Sequence, residues 1–297
     1  MPLAGVLYAA LAYGTWGVLP VYWKALGGVP LAEVLAHRVT GTVLFTALLL
    51  AALRQMPELG HALRSPRERL ALLASGLLIA LNWGVFIWAV GAGRIVETSL
   101  GYYLNPIVNV LLGTLFLGER LRRGQWIAVA LAALGVLAML VSHGQLPWIA
   151  LALATSFGLY GYLHKLTRVR PIAALAIETE ALTPAAFAVL FATEPSGGAL
   201  RTAGPLAQTL LVLAGPVTAL PLLWFASAAR RLRLSTLGLF QYLAPTLALL
   251  LAVLLYGEPF TRAHGIAFVL IWSALALYSA DALQASRSIL SRSSTAH

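Results

Sequence analysis

The 297-residue chain contains no cysteine, which excludes disulfides and thiolate metal sites and leaves the redox compartment unreadable. Charge is scarce as well: Asp, Glu, Lys and Arg make up 10% of the residues, against roughly a quarter in soluble domains. With 60% hydrophobic residues beside that figure, a soluble fold is excluded. Spans of about 20 residues each would use most of the chain in about ten helices, leaving no room for a soluble catalytic or nucleic-acid-binding domain. No Lys or Arg precedes the first apolar run, which is long and aromatic, unlike a signal peptide. An uncleaved first span is expected. The nucleotide-binding G-x-x-x-x-G-K-[ST] loop is missing, which argues against an ATP-driven pump. H-E-x-x-H and G-x-S-x-G are also missing, as is an acidic cluster able to hold Mg²⁺. No enzyme activity, metal or cofactor is expected.

What is present is a passage that occurs twice. Leu100-Gly101-Tyr102-Tyr103-Leu104-Asn105-Pro106 runs to Gly118-Glu119, and Leu237-Gly238 through Leu243-Ala244-Pro245 runs to Gly257-Glu258. In both copies the Gly-Glu pair begins 12 residues after the proline. The match extends back to Trp88 through Arg94 against Trp224 through Arg230, so the repeat is about half the chain. Apolar runs of spanning length fall at about 3–24, 32–53, 70–91, 97–117, 124–142, 147–164, 172–193, 206–228, 235–256 and 262–283. The expected fold is therefore an all-α polytopic membrane protein of ten transmembrane helices. Residues 1–142 and 147–283 form two five-helix repeats, and 284–297 a cytoplasmic tail.

Basic residues set the orientation, because Lys and Arg flanking a span are retained in the cytoplasm. With the N-terminus inside, the inner segments carry Arg54, Arg64, Arg67, Arg69, Arg120, Arg122, Arg123, Lys165, Arg168, Arg170, Arg230, Arg231, Arg233, Arg287 and Arg292. The outer loops carry only Lys24, Arg94, Arg201 and Arg262, and Arg38 lies inside a span. Both termini are expected in the cytoplasm. The same distribution explains the net charge of +10 without a nucleic acid as partner. Five spans per repeat is an odd number, so the second copy starts from the opposite side of the membrane. Inverted repeats of this kind underlie alternating access in secondary transporters.

Several residues are candidates for a site. Pro106 and Pro245 fall at the centres of spans four and nine, where each frees a carbonyl four residues earlier, those of Tyr102 and Gln241. The prolines are either packing kinks or helix hinges at a midplane cavity, the place of transporter substrate sites. Gly101, Asn105, Asn109 and Gly113 form a small polar stripe that either packs on another helix or faces a cavity. Asn105 is the better site candidate and Asn109 is helix glue. Span two holds Glu33, His37 and Arg38; Glu33 reaches the interface, Arg38 suits an anion or carboxylate, and His37 suits a coupling proton. Glu178 and Glu180 point to nearly opposite sides of span seven, and one of them is a candidate cavity carboxylate. Trp16, Trp83 and Tyr242 lie deep enough to line a pocket, and Asn82 adds a polar group beside Trp83. Tyr22, Trp23 and Trp88 are read as an interfacial belt, with Glu97 near the same surface.

The strings His37-Arg38-Val39, Asn82-Trp83 with Phe86-Ile87-Trp88-Ala89-Val90, Ser99-Leu100-Gly101-Tyr102 with Asn105-Pro106, Phe116-Leu117-Gly118-Glu119-Arg120, and Arg231 through Gly238 with Gln241-Tyr242 and Pro245-Thr246 carry a resemblance. Together they resemble the RarD-type permeases of the EamA-like branch of the drug/metabolite transporter superfamily, over almost the whole chain to about Asp281. The resemblance implies a bacterial inner-membrane protein of ten helices, formed from two inverted five-helix repeats, with a central cavity and no bound cofactor. Superfamily members move amino acids, nucleotide sugars, phosphorylated sugars and other metabolites, many outward, and the RarD-type name is associated with chloramphenicol sensitivity. The counterpart of Asn105 in the second repeat is Ala244, so the half-sites are not equivalent.

The sequence is thus read as a permease that exports or exchanges a small metabolite, amino acid or amphiphilic drug-like compound by alternating access. Substrate would bind among Trp16, Asn82, Tyr102, Asn105, Gln241 and Tyr242, with His37, Arg38 and Glu178 serving charge recognition or proton coupling. The partners expected are a small-molecule substrate, the lipid bilayer and a coupling proton, in a monomer or homodimer. The rival readings are a membrane-embedded enzyme on a lipid-linked substrate and a non-transporting sensor or scaffold.

Overall fold

The computed structural model describes every residue except 1, 118–122, 144–145, 194, 196, 230, 233–239 and 295–297. It describes every side chain except those and Pro2, His61, Val110, Leu117, His143, Lys165, Ala226, Ala229, Ser279 and 281–294. Gly118, Glu119 and Arg120, and most of the Arg231 to Gly238 string, lie outside the described residues.

Among the described residues the chain is helical throughout, without strands. In order, the helices are α1 (Pro2–Lys24), α2 (Leu31–Ala52), α3 (Pro57–Arg64), α4 (Pro66–Gly91), α5 (Ile95–Leu117) and α6 (Arg123–His143). They continue with α7 (Trp148–Leu166), α8 (Pro171–Thr193), α9 (Gly198–Thr202), α10 (Pro205–Ala229), α11 (Leu243–Leu250) and α12 (Arg262–Ser294). A π-helical turn, Leu251–Leu255, prolongs α11. Proline begins α3, α4, α8 and α10, where its missing N–H costs nothing. The Ser65 hydroxyl accepts the Glu68 N–H at 3.4 Å to cap α4. At the other end of α4 the chain turns at Gly93, whose φ of +69° favours glycine.

Six of these helices are long and apolar enough to cross a membrane: Leu3–Lys24, Leu31–Ala52, Pro66–Gly91, Arg123–Ser142, Pro171–Thr193 and Pro205–Phe225. Leu243–Leu255 and Arg262–Tyr278 are shorter apolar helices. Leu44, Leu77, Leu115, Val141, Phe191 and Leu254 stand exposed on the outside of the bundle. Such residues in water would be a large liability, and in lipid they are the ordinary surface. The chain is a multi-pass α-helical membrane protein.

Helix α12 packs along α6, α2 along α8, and α7 against both α4 and α5, while α10 lies between α1 and α2. The α2–α10 crossing is made of backbone: a Cβ added to Gly215 would meet the Gly41 carbonyl carbon at 2.1 Å. The main apolar core joins Trp23, Leu26, Ile95, Leu100, Ile149, Leu153, Leu211, Phe268 and Ile271, drawn from both halves of the chain.

The expected spans coincide with helices, with one difference at the ninth. There Gln241 and Tyr242 form a turn and the described helix begins at Leu243. Pro245 therefore stands in the first turn of α11, where its missing N–H is an end group, while Pro106 lies within α5. Helices α3 and α9 were hidden in stretches read as loops.

Candidate functional site

Arg38 is 5% exposed in the first half of α2, and its guanidinium lies between two indole faces. Its carbon is 4.0 Å from the Trp83 ring centroid and 4.7 Å from that of Trp23. Tyr22 and Tyr102 lie within electrostatic reach of it. The two tryptophans hold the cation by its faces, and no carboxylate pairs with it among the described residues. Arg38 Nε and the neighbouring Trp23 Nε1 are both buried donors without an acceptor. Two orphaned donors in contact suit an oxygen-bearing anion, since unsatisfied buried donors are costly. Trp23 is therefore a buried wall of this cage rather than part of an interfacial belt: it is 1% exposed.

Tyr102 connects the cage to α4 and α7. Its ring meets Phe86 and Phe157 edge-on, at 5.8 and 6.3 Å, and its hydroxyl donates to Asn82 Oδ1 at 3.4 Å. The Asn82 amide nitrogen donates to the Leu153 carbonyl at 3.1 Å and to Ser156 Oγ at 2.9 Å. Asn82 is thus satisfied by α7 and Tyr102, and ties three helices together. Asn105 is buried and its Oδ1 has no partner. The small-residue stripe of α5 is a packing seam at Gly101, where an added Cβ would meet the Ala150 carbonyl oxygen at 2.8 Å. Asn109 is exposed.

Glu178 settles which acid of α8 points inward, for it is fully buried while Glu180 is exposed. Its Oε1 lies 2.7 Å from His164 Nε2 and accepts the Ser75 hydroxyl at 2.5 Å, and its Oε2 accepts the Tyr160 hydroxyl at 3.2 Å. Gly76 makes room for this approach, since a Cβ there would meet the Glu178 carbonyl at 3.0 Å. Glu178 does not pair with Arg38; its partner is His164. Sequence reasoning passed over His164 and Ser75. The signal available was a polar residue near the end of an apolar span, which by itself reads as interfacial.

The remaining candidates are distributed elsewhere. Trp16 packs in an aromatic group with Tyr13 and Phe225, at 5.2 and 6.0 Å. Tyr242 stacks on Tyr103 at 6.4 Å, and Tyr103 and Thr246 share a hydrogen bond across α5 and α11. Gln241 is half-buried in the turn before α11. His37 is half-buried with Glu33 on the same face of α2. Glu33 is a buried cap rather than an interfacial side chain: its Oε2 accepts the Ala199 N–H of α9 at 2.6 Å. Glu97 pairs with Arg94 at 2.6 Å near the surface, as read from the sequence. The repeated glutamate Glu258 is buried as well, and its Oε2 accepts the Val96 N–H at the start of α5 at 2.9 Å.

The helical bundle and its buried polar sites have clear relatives. The model of the EamA-like transporter family matches the chain twice, over residues 3–141 and 146–280. An "Uncharacterized transporter" of Vibrio cholerae is 48% identical over 95% of this chain and 93% of its own. The "Protein RarD" of Escherichia coli strain K12 is 46% identical over 95% of this chain and 96% of its own. A crystal structure of a protein 23% identical, covering 94% of this chain and 98% of that one, superposes with a TM-score of 0.56 and has the same fold. Two family matches that together span nearly all of the chain, with relatives aligned end to end, lead to one conclusion: the chain is a membrane transporter, not an enzyme, and belongs to the EamA-like transporter family as a RarD-type member.

Proposed function

We propose that the protein is a secondary transporter of the bacterial inner membrane that moves a small amphiphilic substrate carrying a carboxylate or similar anionic group. The observation that carries the reading is the Arg38 cage: a buried cation between Trp23 and Trp83 whose Nε has no acceptor. A charge at that depth is costly and is normally kept for a partner. Arg38 binds the anionic group, the indoles exclude water and flank the apolar body, and Tyr102 lines the same space. Asn105, with a buried unpartnered oxygen, supplies an acceptor for a donor on the substrate. Trp16, Gln241 and Tyr242 complete the path on the side of the second half; Pro106, inside α5, lets that helix bend, and Pro245 stands beside the turn that opens α11.

The ten spans form two inverted five-helix repeats, with the units at 1–142 and 147–283 and both termini in the cytoplasm. The doubled family match and the basic residues of the inner segments support this arrangement. Exchange of conformation between the halves then gives alternating access, with export or exchange as the direction. Counterflow into proteoliposomes preloaded with candidate compounds tests the reading, using labelled amino acids, other carboxylates and chloramphenicol. Accumulation of a carboxylate that is lost in Arg38→Gln is the expected result. Flux confined to cations, or flux of a carboxylate that Arg38→Gln leaves intact, would overturn the substrate class.

A further inference from the structure

We infer that Glu178 and His164 together form a proton-binding site that is separate from the Arg38 cage, an inference that rests on the transport function proposed above. The carboxylate is fully buried, and each contact it makes is with a polar group able to answer a change in its protonation. Ser75 of α4 donates to Oε1 at 2.5 Å, Tyr160 of α7 donates to Oε2 at 3.2 Å, and His164 Nε2 of α7 lies 2.7 Å from Oε1. From α2, Leu50 packs against Ala173 and Ala176; the buried Thr42 and Thr46 hydroxyls of that helix donate to the Arg38 and Thr42 carbonyls of α2 itself, and Arg38 is its buried charge. From α10, Ala219 faces Leu175. Before the start of α8, Glu58 of α3 is held by Arg170 at 2.9 Å, and Glu68 and Arg168 line the same cleft.

One proton between Nε2 and Oε1 leaves the pair neutral overall, whichever atom carries it. A second proton makes a carboxylic acid beside an imidazolium, and the oxygen that takes it becomes a donor. On Oε1 it sets two donors face to face and opens the 2.7 Å His164 contact, with Ser75 displaced from the same oxygen; on Oε2 it turns the Tyr160 hydroxyl from donor to acceptor. Proton uptake thus becomes a change of packing between α7, α8 and α4. His164 stands near the end of α7 with its side chain 23% exposed, which gives the proton a way in and out. The site also touches the substrate region: Tyr160 contacts the His164 ring at 4.4 Å and Phe157 at 5.8 Å, and Phe157 meets Tyr102.

Infrared difference spectra of the full-length protein in lipid nanodiscs, recorded while the pH is stepped from about 8 to about 5, test this without any substrate. A protonated-carboxyl C=O band that grows on acidification is expected, absent in Glu178→Gln, displaced in His164→Gln and retained in Glu180→Gln. Should Glu178→Gln fail to fold, Glu178→Asp must shift the band instead. A band that survives Glu178→Gln, or a spectrum with no titrating carboxyl in folded wild type, would overturn the site. Counterflow with the same purified protein reconstituted into proteoliposomes separates the two readings: titration without flux leaves the proton site standing and removes the transport reading, and flux without titration does the reverse.

Discussion

At the scale of the residue, Arg38 shows how a stability cost can mark a function. A guanidinium inside a span is unfavourable by several kcal/mol in the accepted scales, and two indole faces return about 2 kcal/mol each at best when desolvated. Arg38→Met should therefore raise the midpoint of thermal unfolding in detergent, by about 1 kcal/mol in stability, while abolishing counterflow. A lowered midpoint would make Arg38 a structural residue. Asn82 should behave in the opposite way. Its bonds to Leu153, Ser156 and Tyr102 are satisfied, so Asn82→Ala should cost about 1–3 kcal/mol of stability and lower folded yield, measured by size-exclusion chromatography, before it alters apparent affinity. The sequence made Arg38 legible because a charge in an apolar run has few reasons to exist. It left Trp23 in an interfacial belt and Glu33 at the surface, because depth along a helix does not reveal what a neighbouring helix brings to meet a side chain. His164 and Ser75 were illegible for the same reason: each becomes chemical only when Glu178 arrives from another helix.

At the scale of the element, helix positions followed from hydrophobic run length, since no polar backbone can be left bare in lipid. The exceptions lie where other physics decides. Helix α3 is short and polar, so no apolar run announces it, and it is held by the Glu58–Arg170 ion pair. In the ninth span Pro245 sits in the first turn of α11 because Gln241 and Tyr242 form a turn ahead of it. The crossing of α2 and α10 depends on two glycines. Gly215→Leu should prevent accumulation of folded protein, since overpacking of backbone against backbone has no rotamer to relax into. Glu258 joins α11 to α5 at one end of the bundle. A cysteine placed at the buried Thr98 should react several-fold faster with an impermeant maleimide when Glu258 is changed to Ala, which removes the acceptor, and an unchanged rate would show that the contact does not hold that end closed.

At the scale of the whole molecule, the doubled passage made the architecture readable, and the family match falls on both copies. The proposed orientation rests on basic residues and has a direct check in a chain that has no cysteine of its own. Single cysteines at Gly28 or Arg94 should label in intact cells, and cysteines at Gln55 or Arg168 only after permeabilisation. The reverse pattern would invert the topology proposed here.

The Glu258 contact also bears on timing. It ties the end of a second-half helix to the first turn of a first-half helix through one hydrogen bond, with the carboxylate oxygen accepting from the Val96 N–H. A bond of this charge-assisted kind contributes about 1.5–3 kcal/mol, a factor of about ten to a hundred in a two-state equilibrium. That is too little to lock a carrier and enough to set where it idles. In the proposed orientation the tied end faces away from the cytoplasm, and under the alternating access proposed above this one acceptor oxygen would weight the empty carrier toward its outwardly closed state.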